Sequence, residues 1–161
     1  EPMAKGFNAR YDVKSKEYEY LIYNGSQLPV HFRDLVWRIG PKLNIPAMRK
    51  ATKLLVGKHD FSSFCAAHSD DKNFVRNLMK IDIRKSGIGA WRGLKLEVIS
   101  LRFVGNGFLY KMVRNIVGTL VYIGRGKMTP VEVKRTLKAK NRKLAGPTAP
   151  ARGLCLIKVN Y

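Results

Sequence analysis

At 161 residues the chain is long enough for one compact domain. Hydrophobic residues make up 45% of it, which permits a real core, and no uncharged apolar run reaches the roughly 18 residues of a membrane span. Thirty-one Lys and Arg against 11 Asp and Glu give a formal net charge of +20. Such an excess points to a polyanionic partner, nucleic acid ahead of an anionic membrane surface, since no basic helix with an aromatic apolar face stands out.

The charge is uneven. Residues 1–80 hold 14 basic and 8 acidic side chains, residues 81–161 hold 17 and 3.

In chain order, KEYEYLIYN (Lys16–Asn24) alternates and is rich in Tyr, so it reads as a strand ending at the Asn24-Gly25 turn. Residues 26–44, with Pro29 and Pro41, read as mostly irregular. NIPAMRKATKLLVGKHD predicts a helix capped by Asn44, with Pro46 in its first turn. Ala47, Ala51, Leu54 and Leu55 form its apolar side and Gly57 its stop. A loop anchored by Phe61 and Phe64 follows.

VRNLMKIDIRKS and GLKLEVISLRFVGNG then alternate, apart from a slip near Met79, and predict a hairpin across the Gly87–Gly93 stretch. NGFLYKMVRNIVGTL places Leu109, Met112, Val113, Ile116, Val117 and Leu120 at helical spacing, predicting a helix over Phe108–Gly124. A basic helix over Pro130–Ala139 is expected after Thr129 as its cap, and LCLIKVNY closes as a strand. This order, β-α-β-β-α-α-β, fits a single α+β domain over 1–161, with helices packed on one face of a largely antiparallel sheet.

Cys65 and Cys155 are far apart and read as free thiols, which favours a reducing compartment. His31, His59 and His68 lack zinc spacing, and Cys65 with His68 is a lone C-x-x-H without a second half. GKHD lacks the upstream glycine and following Ser or Thr of a phosphate loop; Ser62 and Ser63 lack elbow glycines; KGFNARY carries only the start of an RNA-recognition segment. Motifs alone therefore reach no further than a basic α+β domain that binds RNA.

Four blocks in order carry more: FNARYDVKSKEYEYLIYN, GKHDFSSF, GNGFLYKMVRNIVGTL and APARGLCLIKVNY. Together they resemble the TruA-type tRNA pseudouridine synthases over almost the whole chain. The resemblance implies the second half of the pseudouridine-synthase fold, a ferredoxin-like α+β unit, and an enzyme that isomerises uridine in the tRNA anticodon stem-loop. It implies no metal or organic cofactor. Its partners would be tRNA, the N-terminal half of the same enzyme and a second copy in a homodimer. The family's nucleophile is an aspartate in a motif resembling G-R-T-D-x-G-V-H. None of the threonines here, Thr52, Thr119, Thr129, Thr136 and Thr148, precedes an Asp. The chain is thus expected to match the part of the enzyme that follows this motif, and to be inactive alone.

By resemblance, Arg114 of MVRN pairs with that aspartate, Tyr18 of KEYEY is the active-site tyrosine, and Leu154 of RGLCL packs against the target base. A guanidinium fork can hold a carboxylate ionised and aimed, which lysine cannot match. A tyrosine ring can stack on an unstacked base while its hydroxyl passes a proton. Each has a plainer alternative: Arg114 as a rim cation, Tyr18 and Leu154 as core packing. Arg10, Arg76, Lys111 and Arg152 are candidates for phosphate contacts. A non-catalytic RNA-binding module on the same fold, or a basic ribonucleoprotein component, are the competing functions.

Overall fold

The computed structural model describes residues 6–9, 12–67, 69, 71–91 and 94–161. Arg10 and His68, singled out above, lie outside the described residues.

Alternation in KEYEYLIY produces β1 (Ser15–Tyr23), and the two alternating runs produce β4 (Val75–Trp91) and β5 (Leu94–Gly105). The C-terminal run forms β6 (Leu154–Asn160). Two short strands complete a six-stranded sheet: β2 (Trp37–Arg38) and β3 (Gly57–Asp60). The sheet runs β2-β1-β5-β4-β3, and β6 pairs with β1. All pairings are antiparallel except β1 with β2, where Ile22 lies opposite Trp37.

β2 falls in a stretch expected to be irregular, and β3 falls where the expected helix segment NIPAMRKATKLLVGKHD gives way to a loop. Two and four residues are too short to show a period, and both are recruited by a longer neighbour. Asn24, at the end of β1, holds β2's flank: its amide donates to the carbonyls of Ile39 (2.8 Å) and Pro41 (2.7 Å), and its oxygen accepts from Leu43 N–H (3.0 Å).

Helix α1 (Ile45–Leu55) begins as expected, with Asn44 Oδ1 accepting from Ala47 N–H at 3.0 Å. Helix α2 (Met112–Gly124) starts four residues later than its apolar spacing predicts. Lys111 takes a left-handed conformation (φ 57°), which breaks the helical path before Met112. Helix α3 (Glu132–Ala139) likewise starts beyond the expected Pro130. Thr129 still organises its entry, because the Glu132 carboxylate accepts from both the backbone N–H (2.6 Å) and the hydroxyl (2.7 Å) of Thr129.

The three helices cover one face of the sheet, as expected. Tyr20, Ile22, Leu101, Phe103, Ile81 and Ile83 project from that face into one core with Met48, Leu55, Ile116, Leu120 and Val133. A smaller cluster on the other face seats Phe32 and Val36 against Leu96 and Val98. Beside it, Glu19 takes hydrogen bonds from Ser100 Oγ (2.6 Å) and Arg102 Nε (3.0 Å).

Candidate active site

Tyr18 and Leu154 lie on the paired strands β1 and β6, and Arg114, in the first turn of α2, comes close to Tyr20 of β1. Tyr18 lies on the helix-covered face of β1, two residues before the buried Tyr20. Its ring meets Phe108 edge to face, with centroids 5.1 Å apart. Burial pushes its hydroxyl above the ordinary tyrosine range, so it holds its proton at neutral pH. Leu154 and Leu156 of β6 lie opposite Tyr20 and Tyr18, putting both leucines on the same face. Leu154 is half-buried at the core rim, whereas Leu156 is 48% exposed.

Arg114 is anchored rather than free to swing. Its Nε–H donates to the Ala149 carbonyl at 2.7 Å, and the Ala149 N–H donates back to the Arg114 carbonyl at 3.1 Å. This leaves its two terminal NH2 groups as a fork, and among the described residues no carboxylate pairs with it. The guanidinium is close enough to Tyr20 to favour that phenol's ionised form; burial outweighs it and raises Tyr20 strongly. Tyr20 O–H donates to the next carbonyl, Pro150, at 2.7 Å.

Two successive carbonyls, Ala149 and Pro150, therefore set the positions of Arg114 and Tyr20. They belong to a strap, residues 145–150, that crosses α2. The crossing requires Gly118: a Cβ there would sit 1.6 Å from the Pro147 carbonyl oxygen. Polar groups fasten the strap. Asn115, fully buried, accepts at Oδ1 from Thr148 Oγ (2.6 Å) and Arg142 Nη2 (3.0 Å), and donates to the Phe64 carbonyl (2.7 Å). Arg142 Nη1 donates to the Gly146 carbonyl at 2.8 Å. Thr119 Oγ accepts from Gly146 N–H at 2.8 Å while donating to the Asn115 carbonyl at 2.8 Å. After the strap, Gly153 turns the chain into β6 with φ 106°, against the Leu21 carbonyl oxygen.

The candidate phosphate contacts separate. Arg152 is exposed, close to Tyr20, and lines a groove with Arg33 and Arg38 on the flank of β1. Lys111 stands at the mouth of α2, its Nζ 4.8 Å from the Tyr110 ring centroid. Arg76 is already engaged: it pairs with Asp71 at 2.9 Å and donates to the carbonyls of Asn73 (2.7 Å) and Val75 (2.9 Å). That makes it a brace for the 71–75 loop.

Asn115, Arg142, Thr148 and Phe108 were not singled out from the sequence. A faint signal existed: Gly118 within an apolar helix, and the P-x-x-P spacing of Pro147 and Pro150, which marks an extended segment.

The sequence model of the tRNA pseudouridine synthase family matches residues 51–161. The chain belongs to the tRNA pseudouridine synthase family. Relatives named tRNA pseudouridine synthase A agree. The Geobacillus kaustophilus protein is 42% identical over 155 residues, covering 96% of this chain and 57% of its own length. The Bacillus subtilis protein is 42% identical over 156 residues, covering 97% and 60%, and the Moorella thermoacetica protein 42% over 159, covering 99% and 61%. The chain thus spans about three-fifths of the length of the curated relatives it matches. The sheet with helices on one face fits half of a synthase fold, as the resemblance implied.

Proposed function

We propose that the enzyme to which this chain contributes converts uridine to pseudouridine in the anticodon stem-loop of tRNA. The N1–C1′ glycosidic bond breaks, the base turns, and a C5–C1′ bond to the same ribose forms; C5 loses its proton and the freed N1 takes one up from solvent, so the product is an isomer. The observation that carries this reading is the anchored guanidinium of Arg114, its fork unpaired with any described carboxylate, close to Tyr20, which lies opposite Leu154 and two residues from Tyr18.

In this reading a further segment of the polypeptide brings an aspartate to Arg114. Two charge-assisted hydrogen bonds from the fork keep the acid ionised and pointed at the sugar. Nε cannot serve there, because Ala149 holds it. Tyr18, protonated at neutral pH, stacks on or hydrogen-bonds the displaced base, and Leu154 and Leu156 form the apolar wall it turns against. Exposed Ile157, on β6, offers that further segment a surface to pack on. Arg152 and Lys111 meet phosphates near the pocket, and a second copy of the enzyme completes the assembly. No metal or organic cofactor takes part.

The test uses the complete polypeptide and tRNA carrying tritium at uridine C5. Release of tritium together with pseudouridine at anticodon-stem positions is expected. Tight tRNA binding without release would favour the non-catalytic RNA-binding module.

A further inference from the structure

Much of the chain's net charge lies away from this pocket. Residues 45–60 and 125–140 carry ten basic and two acidic side chains, a net of +8 out of +20. Helices α1 and α3 pack against each other, with α3 against β3 and α1 against β4. β3 lies three strand positions from β1, about 14 Å at a spacing of roughly 4.8 Å. This surface is therefore separate from the one carrying Tyr18.

The two helices repeat one pattern. In MRKATK and VKRTLK an apolar residue is followed by two basic residues and, three positions later, a lysine. The apolar members, Met48 and Val133, are buried, as are Ala51, Thr52, Thr136 and Leu137. Lys50 and Lys53 on α1, and Lys134, Arg135 and Lys138 on α3, are exposed, as is Lys58 on β3. Both acids of this region are already engaged. Asp60 pairs with Lys140 at 2.9 Å and with Ser62, and Glu132 is held by Thr129. Glu132 also feels the Arg135 charge, whereas Lys50, Lys53, Lys134 and Lys138 pair with no carboxylate among the described residues. Packed helices lie about 8–10 Å apart, so one strand of backbone along the seam meets cations from both sides.

We propose that this α1–α3 surface is a second RNA-binding face, which grips the sugar-phosphate backbone of the substrate outside the stem being modified. The proposal rests on the tRNA reading above. The contacts are to phosphates, so they add affinity without sequence preference. A compact lysine-rich row suits this role, since no base edge has to be read.

The test compares the complete enzyme with two variants, Lys134→Gln/Arg135→Gln/Lys138→Gln and Lys50→Gln/Lys53→Gln. The substrates are full-length tRNA and a hairpin holding only the anticodon stem-loop. All substituted side chains are exposed, so the thermal midpoint serves as the folding control. For the triple variant the KM for tRNA should rise about tenfold with kcat unchanged, and the salt dependence of log affinity should flatten by about 2 to 3. The hairpin's KM should not move.

An equal loss on tRNA and hairpin would overturn the proposal, because it would place the effect at the pocket. Fluorescence anisotropy of labelled tRNA separates this claim from the catalytic one. Weakened tRNA binding in the variants supports the face even where the parent makes no pseudouridine. Unchanged affinity in both variants overturns it whatever the turnover. Unchanged tRNA affinity with weakened sedimentation on phosphatidylglycerol vesicles would assign the surface to a membrane and likewise overturn it.

Discussion

Gly118→Ala asks whether the strap across α2 positions the site. Two effects oppose each other. In a helix interior, alanine is favoured over glycine by about 1 kcal/mol. Against this, the new Cβ would sit 1.6 Å from the Pro147 carbonyl oxygen and 2.8 Å from its carbonyl carbon. The carbon–oxygen distance must grow by about 1.5 Å to reach ordinary contact, and the obstacle is backbone, which cannot rotate away. Overpacking costs about 1–3 kcal/mol, and a clash this close against backbone belongs in the upper half of that range, so the net destabilisation should be about 1–2 kcal/mol. The effect on turnover should be larger than that on stability. Moving Pro147 drags Ala149 and Pro150, the acceptors for Arg114 and Tyr20. A misplacement of about 1 Å costs about a hundredfold in rate. The assays are thermal or urea unfolding, and turnover of the complete enzyme at saturating tRNA. Parental stability with parental kcat would refute the argument that Gly118 exists to let the strap pass.

Arg142→Ala removes two donors from Asn115 Oδ1 and the Gly146 carbonyl; urea unfolding should show a loss of about 2–3 kcal/mol, and Arg142→Lys should recover part of it. Tyr20→Phe deletes the bond to Pro150 and should cost about 1 kcal/mol by the same measurement. Because folding raises the Tyr20 pKa above its ordinary 10.0, its contribution is present below pH 10 and lost as pH rises further. The alkaline fall in stability should therefore be weaker in Tyr20→Phe. Glu19 behaves oppositely. Burial raises its pKa, but the hydrogen bonds from Ser100 and Arg102 and nearby arginine charge outweigh it, for a net lowering. Its contribution is present above pH 4.5 and lost as pH falls, so Glu19→Gln should flatten the acid limb of a stability–pH curve.

What could be read from the sequence follows from how local each signal is. β1, β4 and β5 alternate over many residues, and α1 carries its cap and its stripe, so these elements were legible. β2 and β3 exist only through pairing with β1 and β4 and leave no period of their own. The start of α2 was misjudged because Leu109 keeps helical spacing while Lys111 breaks the backbone path. Tyr18, Arg114 and Leu154 are named through the resemblance; Tyr18 and Leu154 fall on the paired strands β1 and β6, Arg114 lies near Tyr20, and their catalytic roles are a proposal. Their scaffold was not legible, since Asn115, Arg142 and Thr148 meet across up to 33 positions and no pattern joins them. Arg76 shows the converse: a basic residue in a basic chain, already committed to Asp71.

The central claim is that the Arg114 fork clamps an aspartate brought from elsewhere in the enzyme. Single-turnover rates of the complete enzyme with Arg114→Lys, measured on tRNA at saturating concentration, test it most directly. Lysine keeps the charge but loses the planar pair of donors, so the rate should fall about a hundredfold or more while tRNA affinity stays at the parental level. A near-parental rate with parental affinity would contradict it.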